Sequence, residues 1–208
     1  MVRGRALIAP AAGLAAAGVG VALWWRRHPS ACPYSQRFWV QAPHPLITRA
    51  RLRRVLDPRP GERVLEIGPG TGYYSLPIAE WLGPDGRLEL LDIQQEMLDH
   101  TVRRARAAGL ADRVTATQGD ARSLPYEDAT FDAAVLVTVL GEIPDEVAAL
   151  RELRRVLKPS GRVVVGEVAL DPHVVFPGGL ARRAQAAGLR LEDVDGTALG
   201  YFARLRPA

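Results

Sequence analysis

The stretch Val64-Leu65-Glu66-Ile67-Gly68-Pro69-Gly70-Thr71-Gly72 constrains the fold of this chain more than any other. Arg63 to Ile67 is a short apolar run carrying one acid, which reads as a buried strand. Tyr73 to Leu82 follows with Leu76, Ala79 and Leu82 at helical spacing. Glycines at 68, 70 and 72 let the backbone turn tightly and bring N–H groups close to a ligand, at a helix start where such groups are unpaired. A strand breaking through such a loop into a helix is the opening unit of a doubly wound α/β sheet, and the loop is built to hold something.

The spacing narrows what it holds. A dinucleotide fingerprint reads G-x-G-x-x-G, whereas this loop reads E-x-G-x-G-x-G with the acid two residues before the first glycine. The string resembles motif I of class I S-adenosylmethionine-dependent methyltransferases. Later segments resemble the same family in order. The strand Arg87 to Leu91 ends in Asp92, where the family places its ribose-binding acid. Thr117-Gln118-Gly119-Asp120-Ala121 ends a third strand, Val114 to Gln118, where the family recognises the adenine amino group, which makes Asp120 the candidate. Phe131 to Thr138 matches the fourth strand, whose end faces the methyl group. Leu153 to Val165, with its Lys158-Pro159-Ser160-Gly161 turn, matches the helix and fifth strand of the ubiquinone/menaquinone-type small-molecule branch. The resemblance is specific from about Leu56 to Val168 and weaker to Arg206.

It implies a Rossmann-like seven-stranded sheet of order 3-2-1-4-5-7-6, S-adenosyl-L-methionine as cofactor, and a cofactor set of Glu66, Gly68, Gly70, Gly72, Asp92, Ile93, Asp120, Ala121 and Thr138. One departure bears on mechanism. Where that branch often has a His-His pair after the fourth strand, this chain has Gly141-Glu142. A histidine base is absent there, and Glu142 is the candidate proton acceptor, since a buried carboxylate is raised toward neutrality. The bland alternative is that Glu142 only complements the dipole of the next helix.

Around the strands, helices are predicted over Pro45 to Leu56, Gln94 to Ala108 (closed by Gly109), Asp145 to Leu157 and Gly179 to Ala187 (stopped by Gly188). Arg190 to Asp195 and Ala198 to Arg206 read as a hairpin through Gly196.

The chain's first quarter raises a different question. Ala6 to Trp25 is uncharged, about 30 Å as a helix, and ends in Trp24 and Trp25 followed by Arg26 and Arg27, in the manner of an interfacial belt with a cationic stop. Pro10 and three glycines weaken it. A cleaved signal peptide is the rival, but no small-x-small site precedes the arginines, and export would part the enzyme from its cofactor. The expectation is one transmembrane anchor within residues 1–28, a linker or lid over 29–45, and a methyltransferase domain over 46–208 on the cytoplasmic side of the membrane. Tyr34, Phe38 and Trp39 are the lid residues expected to meet the acceptor, because a solvated linker rarely needs three aromatic rings.

Net charge is +4 with a pI near 9.7, and Lys158 is the only lysine. A basic balance permits nucleic acid, but no basic run is interleaved with stacking aromatics, and the fourth strand lacks the Pro-Pro-Tyr type of motif of amino-methyltransferases acting on bases. The single Cys32 and four histidines, His28, His44, His100 and His173, offer no metal-ligand spacing. They read as packed or solvated side chains. The expected reaction is methyl transfer to a small molecule or lipid acceptor. A non-catalytic cofactor-binding or scaffold protein and a nucleotide-dependent oxidoreductase are the rivals. The acceptor atom and the oligomeric state are left open by the sequence.

Overall fold

The computed structural model describes residues 29–38 and 44–208. Seven strands form one sheet in the order β3-β2-β1-β4-β5-β7-β6. The central strand β1 (Arg63–Ile67) lies parallel to β2 (Arg87–Asp92) and β4 (Phe131–Val137). Outside these, β3 (Val114–Gln118) pairs with β2 and β5 (Leu157–Val168) with β4, both parallel. The hairpin β6 (Leu189–Thr197) and β7 (Gly200–Pro207) closes the far side, with β7 antiparallel to β5. The order expected from the sequence is the order observed.

Alternation along the central strands explains why helices cover both faces. Val64, Leu88, Val135 and Val164 face one apolar core with Leu52 and Leu56 of α1 (Arg49–Leu56), Ile78 of α2 (Ser75–Trp81) and Leu98 of α3 (Gln95–Ala107). Their neighbours Leu65, Leu136, Val163 and Val165 face the other, with Leu150 and Leu153 of α4 (Glu146–Val156) and Leu180 of α5 (Pro177–Ala186). Strands buried on both sides read as continuous apolar runs because successive side chains enter different cores. The chain winds outward from β1 in both directions, so a crevice opens beyond the carboxyl ends of β1 and β4, where ligands of such sheets bind.

Three local expectations shift. The first helix begins at Arg49, not Pro45, because Thr48 caps it, its Oγ1 accepting from the Arg51 N–H at 3.3 Å. The next begins at Ser75, after Tyr73 and Tyr74 have turned. The hairpin turns through Ala198-Leu199, since Thr197 still pairs with Gly200, while Gly196 lies within the strand opposite Tyr201.

The membrane placement is corrected. Among the described residues no helix is long and apolar enough to cross a membrane. The longest, α3, has 13 residues, about 20 Å against the roughly 30 Å of a bilayer core. The segment Ala6 to Trp25, on which the transmembrane expectation rested, lies outside the described residues, as does Trp39.

Candidate active site

Leaving β1, the chain passes Gly68, Gly70 and Gly72, all at positive φ. The Gly68 N–H donates to the Leu91 carbonyl at 2.8 Å, which pins the loop to β2. A Cβ on Gly68 would lie 2.5 Å from Cγ2 of Val139, so only glycine lets the loop press against the chain leaving β4. From below, α3 braces the loop: Thr101 Oγ1 donates to the Gly70 carbonyl at 3.0 Å and Arg104 to that of Thr71. Gly72 faces Leu76 and Thr101 and shapes the turn without lining the crevice.

The crevice is a cavity of about 850 Å³, lined by Glu66, Gly68, Gly70, Asp92, Ile93, Asp120, Ala121, Thr138 and Glu142 of the sequence-predicted set. Glu66 is buried and its Oε2 has no hydrogen-bond partner among the described residues; burial pushes its carboxyl up to about 7. Asp92, at the end of β2, accepts from the Gln94 N–H through Oδ1 at 2.9 Å, and burial raises its pKa. Asp120 is differently placed. Arg122 forks onto both its oxygens at 2.6 to 3.1 Å and holds its carboxyl below the usual range, so its charge is already matched. Thr138 closes β4 at φ 54°, a strained conformation for a non-glycine residue, with its hydroxyl returned to the Val137 carbonyl at 2.7 Å.

In the rest of the cavity, burial and the nearby Asp171 push Glu142 up to about 8. Glu167 stands in the same acidic neighbourhood, 1% exposed, with Oε1 lacking a partner among the described residues; burial first and Asp171 second raise it well above the ordinary carboxylate range. His44, Tyr73 and Tyr74, with Leu46, Ile47 and Val168, also line the cavity. His44 stacks on Tyr74 with ring centroids 5.8 Å apart and meets Tyr73 edge-on at 4.9 Å.

Residues 29–36 roof the cavity, but not through the aromatic rings expected to do so. Pro29, Ala31, Cys32, Pro33 and Gln36 line it; Tyr34 and Phe38 do not. The Tyr34 hydroxyl turns instead to His100 Nδ1 at 3.1 Å, and Phe38 is 72% exposed. Gln94 makes two of the bonds that hold the strap down. The Gln94 amide accepts from the Tyr34 N–H at 3.1 Å and donates to the Cys32 carbonyl at 3.0 Å, as a neighbouring strand would. The Cys32 N–H then reaches Glu142 Oε2 at 3.3 Å.

Residues 64–161 match a family model described as a methyltransferase domain. Over those residues the chain is similar to methyltransferase domains. Among curated relatives, the demethylmenaquinone methyltransferase of Bacillus cytotoxicus is 34% identical over 128 residues, 62% of this chain and 54% of that protein. The chain therefore spans about half the length of the curated relatives it matches. A SAM-dependent methyltransferase from Aquifex aeolicus superposes with a TM-score of 0.78 at 20% identity, covering 86% of this chain and all of the other, a likeness of fold. The [4+2]-cyclase SpnF superposes with a TM-score of 0.65 at 30% identity, over 71% of this chain and 57% of that one.

The residues lining the crevice fit S-adenosylmethionine as cofactor. A buried carboxyl with one oxygen unpartnered among the described residues, Glu66, beside a loop that excludes side chains suits the amino acid end, and Asp92 retains an oxygen for a sugar hydroxyl. Sequence reading missed Gln94, Arg122, Asp171 and the place of His44 in the cavity lining. Arg122 was detectable as a cation two residues from Asp120; the others carry no local pattern.

Proposed function

We propose that the chain transfers the methyl group of S-adenosylmethionine to a small lipophilic acceptor of the hydroquinone class. The carrying observation is that one cavity joins the glycine loop and Asp92 to an apolar chamber bearing Glu142 and His44. The name of the Bacillus cytotoxicus relative supports a quinone-type acceptor.

Bound S-adenosylmethionine supplies a methyl group already activated on a sulfonium, so the protein's work is alignment, water exclusion and proton handling. Glu66 meets the cofactor's amino group, Asp92 the ribose hydroxyls, and Ala121 with Asp120 the adenine edge. Thr138 bounds the site where β4 ends. The roof, residues 29–36, keeps water from the chamber. Glu142 takes a proton from the acceptor once its own carboxyl has ionised, which places its working range near and above pH 8.

The test is methyl-labelled S-adenosylmethionine with the full chain and a prenylated 1,4-naphthohydroquinone. Label on a ring carbon or ring oxygen is expected, and no transfer to any hydroquinone refutes the acceptor class. The 30% identity to a [4+2]-cyclase supports a second reading, in which the cavity serves chemistry other than methyl transfer. Cofactor binding without label transfer to any component of a metabolite extract would favour it.

A further inference from the structure

The hydroxyl of Tyr74 has one proton and two neighbours. It lies 2.5 Å from the Ile47 carbonyl oxygen and 3.2 Å from His44 Nδ1. A carbonyl only accepts, so the phenolic proton is committed to Ile47. The contact with His44 is then a hydrogen bond only if Nδ1 carries a proton and donates to the tyrosine oxygen. In the neutral ring this leaves Nε2 bare, a lone pair on a side chain that lines the chamber. Burial lowers the pKa of His44, which keeps the ring neutral. The groups facing it are Tyr73 and Tyr74. The charges nearest these are Arg49, stacked 4.1 Å over the Tyr73 ring, and Glu66, within electrostatic reach of the Tyr74 hydroxyl.

We propose that His44 is a catalytic proton acceptor for a substrate hydroxyl, and that Tyr74 is the positioning residue that fixes its tautomer with Nε2 free. The inference rests on the methyl-transfer reading above. In the assigned step the acceptor O–H bond breaks and its proton passes to Nε2, giving imidazolium. The released electron pair moves into the ring, the ring carbon forms the new C–CH₃ bond, and the C–S pair returns to sulfur as a neutral thioether. The methylated carbon then loses its hydrogen to the Glu142 carboxylate while imidazolium returns a proton to the oxygen, so one proton leaves overall. Two proton-handling groups lining one cavity match an acceptor that needs two proton movements.

Nitrogen-15 NMR of the histidine-labelled full chain, with S-adenosylhomocysteine added, reads the ring without any acceptor. The expected spectrum shows His44 protonated at Nδ1 and bare at Nε2 at neutral pH, with the preference lost in Tyr74→Phe. A proton on Nε2 in the wild type overturns the proposal. With the prenylated naphthohydroquinone, His44→Gln should lower kcat by ~10²–10⁴-fold while S-adenosylmethionine affinity stays within twofold. A kcat within threefold of wild type overturns it as well. Should the wild-type chain leave that probe unmethylated, the acceptor class fails on its own, and the tautomer decides for or against His44.

Discussion

Replacing Glu142 with glutamine should make the protein more stable by an amount that grows as pH rises above about 4.5 and is greatest in alkaline solution. The folded chain holds the Glu142 proton more tightly than the unfolded chain does, with a pKa of about 8 against an ordinary 4.5. As pH rises past 4.5 the unfolded chain ionises first, so stability from this group is full below that point and declines until the folded carboxyl ionises near 8. At about 1.4 kcal/mol per pH unit the full decline is at most about 5 kcal/mol. Residual solvent contact reduces this to roughly 2 kcal/mol, or a melting shift of ~4–8 °C for a chain of this size. Glutamine keeps an oxygen for the Cys32 N–H and has no proton to lose. Calorimetry at pH 5 and pH 8.5 should therefore show equal melting temperatures at the lower pH and the variant ahead by ~4–8 °C at the higher. A difference independent of pH, or a variant less stable at pH 8.5, would refute the burial argument and with it the use of Glu142 as an acceptor with a raised pKa.

Asp92→Ala should fold normally and bind S-adenosylmethionine ~10- to 100-fold more weakly by titration calorimetry, the loss of charge-assisted hydrogen bonds worth about 1.5–3 kcal/mol; an unchanged Kd would remove Asp92 from the ribose site. Gln94→Ala cuts the two hydrogen bonds that Gln94 makes to the roof while leaving the sheet untouched. Limited proteolysis should then cleave within residues 29–38 at least several-fold faster, with the melting temperature shifted by no more than a few degrees, and an unaltered cleavage rate would show that other contacts hold the strap.

The half of the site that the sequence announced is the half built from contiguous residues. Glu66 to Gly72 carries its geometry in its own spacing, Asp92 sits where an apolar run stops, and Asp120 is marked by its place in the Gly119-Asp120-Ala121 segment just past a strand. In the acceptor half only Glu142 is marked, by its place after the fourth strand. His44, Glu142 and Asp171 meet only because the sheet brings the loop after β4, the loop after β5 and the segment before α1 to one edge. Tyr34 and Phe38 misled for a related reason: aromatic character in a linker signals a partner surface, yet Tyr34 found that surface at His100. The hairpin turn was misplaced because a glycine was read as a bend. At Gly196 the constraint is instead the close approach of the Gly200 carbonyl, 2.4 Å from where a Cβ would stand.

Gly141 sets how this chamber can diversify. A Cβ there would fall 1.7 Å from the carbonyl oxygen of His173, a backbone atom that no side-chain rotation removes. The loop carrying Glu142 and the loop carrying Asp171 are thus keyed together, and any larger residue at 141 is viable only with a simultaneous rebuild of the second loop. Single substitutions leave that wall nearly frozen. The roof is attached by a handful of hydrogen bonds, chiefly through Gln94, and tolerates piecemeal change. A lineage of such proteins would therefore explore new acceptors through the segment ahead of the domain while its acidic wall stayed fixed, and library design for altered acceptor range should randomise residues 29–36 before touching 141 or 173.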